Sequence, residues 1–109
     1  MNIEELRDFA LSLPDVEEDC PFGPTVVVFR IRQKIFMLLP LDTEGAQFNV
    51  KCNPELAIEL REHYPNAVLP GYHMNKKHWN TIKVHPEISG QFIQEQIKNS
   101  YDLIKGKKK

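Results

Sequence analysis

The run Pro70-Gly71-Tyr72-His73-Met74-Asn75-Lys76-Lys77-His78-Trp79-Asn80-Thr81-Ile82 concentrates the chemistry of this chain. It holds two histidines, two lysines, two asparagines, Tyr72 and the only tryptophan. Lysines attract phosphate, amides and ring nitrogens form hydrogen bonds, and aromatic faces stack on bases. A loop carrying all three has the ingredients for holding a nucleic acid or a phosphorylated ligand. The plainer reading is structural: Tyr72 and Trp79 pack against a sheet while Lys76 and Lys77 shape a solvated turn.

Other constellations are weaker. His73 and His78 are spaced H-x4-H, and Cys20 or Cys52 would complete a zinc site, but no CxxC or HExxH accompanies them. Cys52 beside Lys51 has the makings of an activated thiol, although a lone cysteine at a strand end is more commonly packing. Glu17, Glu18 and Asp19 offer paired carboxylates, yet three adjacent acids on an early loop normally form a solvated face. The sequence contains no Gly-rich phosphate loop or dinucleotide fingerprint. These residues predict a protein without catalytic residues, bound metal or cofactor.

The elements that position this loop follow from periodicity. Asn2 and Glu5 have capping-box spacing, and Ile3, Leu6, Phe9, Ala10 and Leu13 recur at helical intervals until Pro14, which predicts a first helix over about 3–13. The acidic stretch 15–24 reads as a loop closing in Pro21-Phe22-Gly23-Pro24. Two β-branched and aromatic runs, 26–31 and 35–39, predict an antiparallel hairpin. Its connection lacks the Gly or Asn of a tight primed turn and is expected to be longer or strained. Residues 47–51 alternate as a half-buried strand, with Phe48 and Val50 inward and Lys51 outward. Asn53-Pro54 starts a second helix with the stripe Leu56, Ala57, Leu60 and Tyr64. Val68-Leu69 reads as a short strand or extended link, and 79–84 alternates as another strand. A third helix starts near Ser89 with Ile93, Ile97, Tyr101 and Ile104 as its core stripe and Gly106 as its stop. Strands joined by a short hairpin cannot be parallel, so the order predicts a two-layer α+β fold, an antiparallel sheet with helices on one face.

The 109 residues suit a single domain, 1–109, with 105–109 as a basic tail expected to fray. A hydrophobic fraction of 41% with 27% charged residues excludes wholesale disorder. No apolar run reaches the roughly 20 residues of a membrane helix. The acidic amphipathic start does not read as a signal peptide, and two cysteines do not make a disulfide framework, so the expectation is a cytoplasmic protein with reduced thiols. The net charge of −1 conceals an asymmetry: residues 1–20 carry −6 and residues 70–109 carry +5.

The run NVKCNPELAIELREHYPNAVLPGYHMNKKHWNTI, residues 49–82, closely resembles the MmcQ/YjbR family. Leu13-Pro14-Asp15-Val16 and Cys20-Pro21-Phe22-Gly23-Pro24 look like that family's N-terminal signature, and the resemblance extends to about Tyr101. Many relatives have a Gly-rich hairpin turn where this chain has Arg32-Gln33. The resemblance implies a secretion-chaperone-like α+β fold and a DNA-binding role through a double-wing motif. The matched positions that would touch DNA are Lys51, His73, Asn75, Lys76, Lys77, His78, Trp79 and Asn80. Tyr72 joins them as a stacking residue, and Arg30, Arg32 and Lys34 join if the hairpin acts as a wing.

Charge placement limits that role. Every cation after Arg61 is lysine, whereas guanine is usually read by arginine. The second helix sets Glu55, Glu59 and Glu62 against Arg61, which excludes a basic recognition helix. Lys51, Lys76, Lys77 and Lys83, with the hairpin cations, allow about three to six phosphate contacts. The expectation is weak, salt-sensitive DNA binding by a monomer, with little sequence selectivity. The alternative is a protein-interaction module that takes a partner's peptide at an edge strand or in a groove beside Phe22 and Trp79.

Overall fold

The computed structural model describes residues 1–72 and 74–106. His73 and the lysines 107–109 of the expected tail lie outside the described residues. Among the described residues, three helices and six strands follow the order α1 (Ile3–Ser12), β1 (Glu17–Asp19), β2 (Val26–Ile31), β3 (Lys34–Pro40), β4 (Gln47–Lys51), α2 (Pro54–His63), β5 (Val68–Pro70), β6 (Trp79–Lys83) and α3 (Gly90–Lys105). The strands form one antiparallel sheet in the order β1-β2-β3-β4-β6-β5. It is an α+β fold.

Each helix begins as its sequence dictates. Asn2 and Glu5 form a reciprocal capping box on α1, Asn53 accepts from the Glu55 and Leu56 amides with Pro54 following, and Ser89 accepts from Phe92 N–H. Gly106 closes α3, so residue 105, expected in the tail, is helical. Leu6 and Ala10 of α1 and Ile93, Ile97 and Tyr101 of α3 pack on Val27, Phe29, Leu39, Phe48, Val50 and Ile82 of the sheet. Tyr64, the C-cap of α2, meets Phe92 of α3 at 4.9 Å between ring centroids, which sets α2 on the same side. Of the expected α2 stripe, Ala57 alone is fully buried.

The sheet departs from the expected pattern in three places. The acidic segment expected as loop contains a strand, β1, held to β2 in the register Glu17↔Arg30 to Asp19↔Val28. Its side chains are exposed; the ladder and two ion pairs, Arg7–Glu18 and Arg30–Asp19, hold it rather than burial. The β2–β3 turn has two residues, with Arg32 and Gln33 at φ 54° and 69°. It is strained, as expected, but not longer, because the right-handed twist of the hairpin imposes a primed turn even without glycine. The pairing also slips at Phe29/Arg30, so Phe36 is an extra residue on β3, and consecutive Phe36 and Met37 both reach the core.

Candidate functional site

Side chains alternate across a strand, so each core position marks neighbours on the other face. Val27, Leu39, Phe48 and Val50 face the helices; Val26, Leu38, Gln47 and Asn49 therefore face away from them. The β4–β6 register places Lys51 opposite Trp79, Asn49 opposite Thr81 and Gln47 opposite Lys83 on this second face. A groove of about 580 Å³ runs there, lined by Phe22, Val26, Leu38, Asn49, Tyr72 and Trp79 among others. Its volume falls in the range of small-ligand pockets, about 300–1,000 Å³. Phe22 is 65% and Tyr72 64% exposed, so two aromatic side chains stand at the groove in solvent.

The loop before β6 is held from behind by α2. Arg61 Nε donates to Asn80 Oδ1 at 2.8 Å, and its Nη2 donates to the carbonyls of Trp79 and Lys76. Gly71 N–H donates to Trp79 O at 2.9 Å, an approach that excludes a side chain: a Cβ on Gly71 would lie 2.8 Å from Trp79 Cβ. Cys52 N–H donates to His78 O at 2.7 Å. The aromatic wall is thus built on a fixed backbone.

Several of the expected contact residues serve that construction. Lys76 Nζ donates to Gly71 O at 2.9 Å, and Asn75 Oδ1 accepts from Lys77 N–H at 3.0 Å. Asn80 is fully buried, its oxygen taken by Arg61 and its Nδ2 without an acceptor among the described residues. Lys77 is exposed, while His78 and Trp79 are half-buried. Lys51 is half-buried on the groove face, its own backbone N–H donating to Ser100 Oγ at 2.8 Å. At the hairpin, Arg30 is paired with Asp19 at 2.8 Å, and Arg32 donates to Lys105 O at 3.1 Å, the C-terminal end of α3. Lys34 is exposed.

The structure therefore brings Tyr72 and Trp79 together at one groove; Lys51, opposite Trp79, shares its sheet face without lining it, and the hairpin cations do not line it either. The sequence reading missed Arg61 as the loop's anchor, and Asn49 and Gln47 as groove residues. Alternation with Phe48 and Val50 already puts Gln47 and Asn49 on the face of Lys51; nothing in the sequence marks Arg61.

Cys52 is buried, and burial pushes its thiol upward from the ordinary range against a smaller opposing pull from Arg61. Such a thiol is a poor nucleophile. No group of three or more His, Cys, Asp or Glu gathers for a metal among the described residues. No helix among them is long and apolar enough to cross a membrane.

A one-sided helical layer and an open, aromatic sheet face define a class of small α+β domains with a groove opposite the helices. The YjbR family model matches residues 11–103, and the chain belongs to the YjbR family. It is 41% identical over 102 residues to the uncharacterised protein YbdF of Escherichia coli O157:H7, covering 93% of this chain and 82% of that protein. It is 25% identical over 101 residues to YjbR of Escherichia coli K12, covering 93% and 85%. The crystal structure of Deinococcus radiodurans DR2400, a DUF419 domain, superposes with a TM-score of 0.86 at 29% identity, over 92% of this chain and 75% of that one. A Pseudomonas syringae protein superposes at 0.78 and 28% identity, over 95% and 99%.

Proposed function

We propose that this protein is a non-enzymatic, cytoplasmic nucleic-acid-binding domain that holds a single-stranded segment of DNA on its open sheet face. One observation carries the reading: Phe22, Tyr72 and Trp79 surround a groove on the face where Lys51 stands opposite Trp79. Aromatic platforms take bases of any sequence, and neighbouring lysines take the backbone. The double-wing mode draws less support, because Arg30 and Arg32 are engaged within the fold. Both cysteines are free thiols, which suits a reducing compartment.

The test is anisotropy of labelled single-stranded and duplex DNA at two salt concentrations. With about three phosphate contacts, raising salt from about 50 to 200 mM should weaken single-strand binding about 20-fold. Phe22→Ala and Tyr72→Ala alter exposed side chains, so the fold should survive, and each should cost about tenfold or more in affinity. Lys51→Glu/Lys77→Glu should flatten the salt dependence. Duplex preferred over single strand, or binding indifferent to the aromatics, would refute this mode. The mostly apolar walls favour a second reading, an extended apolar peptide laid along the groove. Peptide capture that persists in Lys51→Glu/Lys77→Glu, with no DNA binding at low salt, would select it.

A further inference from the structure

The floor of the groove carries an oriented donor. Tyr72 N–H donates to Thr81 Oγ1 at 2.8 Å, and the Thr81 hydroxyl donates in turn to Asn49 Oδ1. Both side chains are nearly buried, Asn49 at 8% and Thr81 at 3% exposure. In this arrangement the Asn49 carboxamide oxygen takes the threonine proton, which turns its amino group away from Thr81. The Asn49 NH2 is left with no acceptor among the described residues, yet it is not sealed in the interior as Asn80 Nδ2 is. Asn49 lines the groove, so its amino group meets solvent there. A donor on a nearly buried side chain that meets water at the groove can exchange that water for an acceptor that arrives there.

The surroundings state what kind of acceptor. Trp79, Phe22 and Tyr72 offer ring faces, Leu38, Ile35 and Val26 offer an apolar bed, and Gln47 adds a second carboxamide beside Asn49. A charged acceptor would leave its hydration for apolar walls and a neutral amide, with Asp42 also lining the groove. A neutral planar ring with a polar edge loses nothing comparable: its faces meet aromatics while its carbonyl meets the amide. We infer that the groove is a recognition subsite for one carbonyl-bearing heteroaromatic ring, with Asn49 Nδ2 donating to the ring's carbonyl oxygen. This deepens the nucleic-acid reading and rests on it for the source of the ring, an unstacked base of a strand; a free nucleoside offers the same edge.

The test is NMR of the 15N-labelled full chain with thymidine and, separately, with indole, a planar ring of similar reach without a carbonyl. Thymidine should shift the Trp79 Hε1 and Asn49 Hδ2 signals together and bind about tenfold tighter than indole, the worth of one hydrogen bond to a nearly buried donor. Equal affinity for the two probes, or shifts elsewhere that leave the Asn49 amide unmoved, would overturn the inference. Asn49→Asp keeps an oxygen for Thr81 and removes the donor, so it should reduce thymidine affinity to that of indole while melting remains cooperative. Should that variant not fold, the probe pair decides alone. A labelled single strand separates this inference from the reading it rests on. Thymidine binding through Asn49 with no binding of the strand keeps the subsite and removes the nucleic-acid function. Strand binding with an unmoved Asn49 amide keeps the function and removes the subsite.

Discussion

At the scale of residues, the groove depends on a side chain that does not line it. Arg61 reaches from α2 to one buried amide and two carbonyls, and these bonds hold the backbone carrying Trp79. Arg61→Ala removes a charged donor and leaves the Asn80 oxygen unpaired in the interior, at a cost of about 2–3 kcal/mol. Urea unfolding should show that loss, and Trp79 emission in the native state should move to the red as the loop loosens. Arg61→Lys should recover less than half of it, because an ammonium cannot span three acceptors in a fixed fork. Full recovery by lysine would mean that charge rather than geometry anchors the loop. None of this is legible in the sequence, where Arg61 is one cation in a helix with three glutamates. The loop's aromatics and lysines announce themselves by type, but Lys76 is engaged within the loop by Gly71 O, and the loop's anchor, Arg61, lies 15 residues before Lys76.

At the scale of elements, what was readable is what local physics decides. Caps at Asn2, Asn53 and Ser89 and the stripes of α1 and α3 are properties of neighbouring residues, and the structure has them where the sequence puts them. The α2 stripe is buried in part, because α2 lies beside the narrow strand β5 rather than across the sheet. β1 is hidden because its residues have neither β-propensity nor alternation; it exists through pairing with β2 and through ion pairs to Arg7 of α1 and Arg30 of β2. That construction has a pH signature. The Arg7 hydrogen bonds hold Glu18 below the usual carboxylate range, and Arg30, with the Cys20 amide, does the same for Asp19. Folded values lie below unfolded ones, so the stabilisation is present above the ordinary carboxylate range and is lost as pH falls through the folded values. Melting temperature should hold between about pH 7 and 5 and fall more steeply below about pH 4 in the wild type than in Arg7→Gln/Arg30→Gln. Since both pairs are exposed, the difference should be small and should shrink in high salt. Identical acid limbs in the two proteins would show that β1 is held by its ladder alone.

At the scale of the whole molecule, the sheet has three surfaces through which copies could associate, and two are blunted. β1, at one edge, has three residues, all exposed acids; Glu18 and Asp19 are matched by Arg7 and Arg30, and the strand's shortness and the remaining charge of Glu17 blunt it. β5, at the other, has three residues and ends in Pro70, which has no N–H to offer. The third is the open face, where Phe22 and Tyr72 stand in solvent and contact between copies would be apolar. Edge blunting predicts a monomer, and sedimentation equilibrium at high concentration should return the chain mass of 12.7 kDa. A dimer that Phe22→Ser abolishes would place a second copy in the groove and make self-association a competitor of any ligand. In that case thymidine or a single strand should dissociate the dimer, since both would need the same aromatic walls. A dimer indifferent to Phe22 and to ligand would mean that a sheet edge pairs between copies despite its short strand, its charge or its proline.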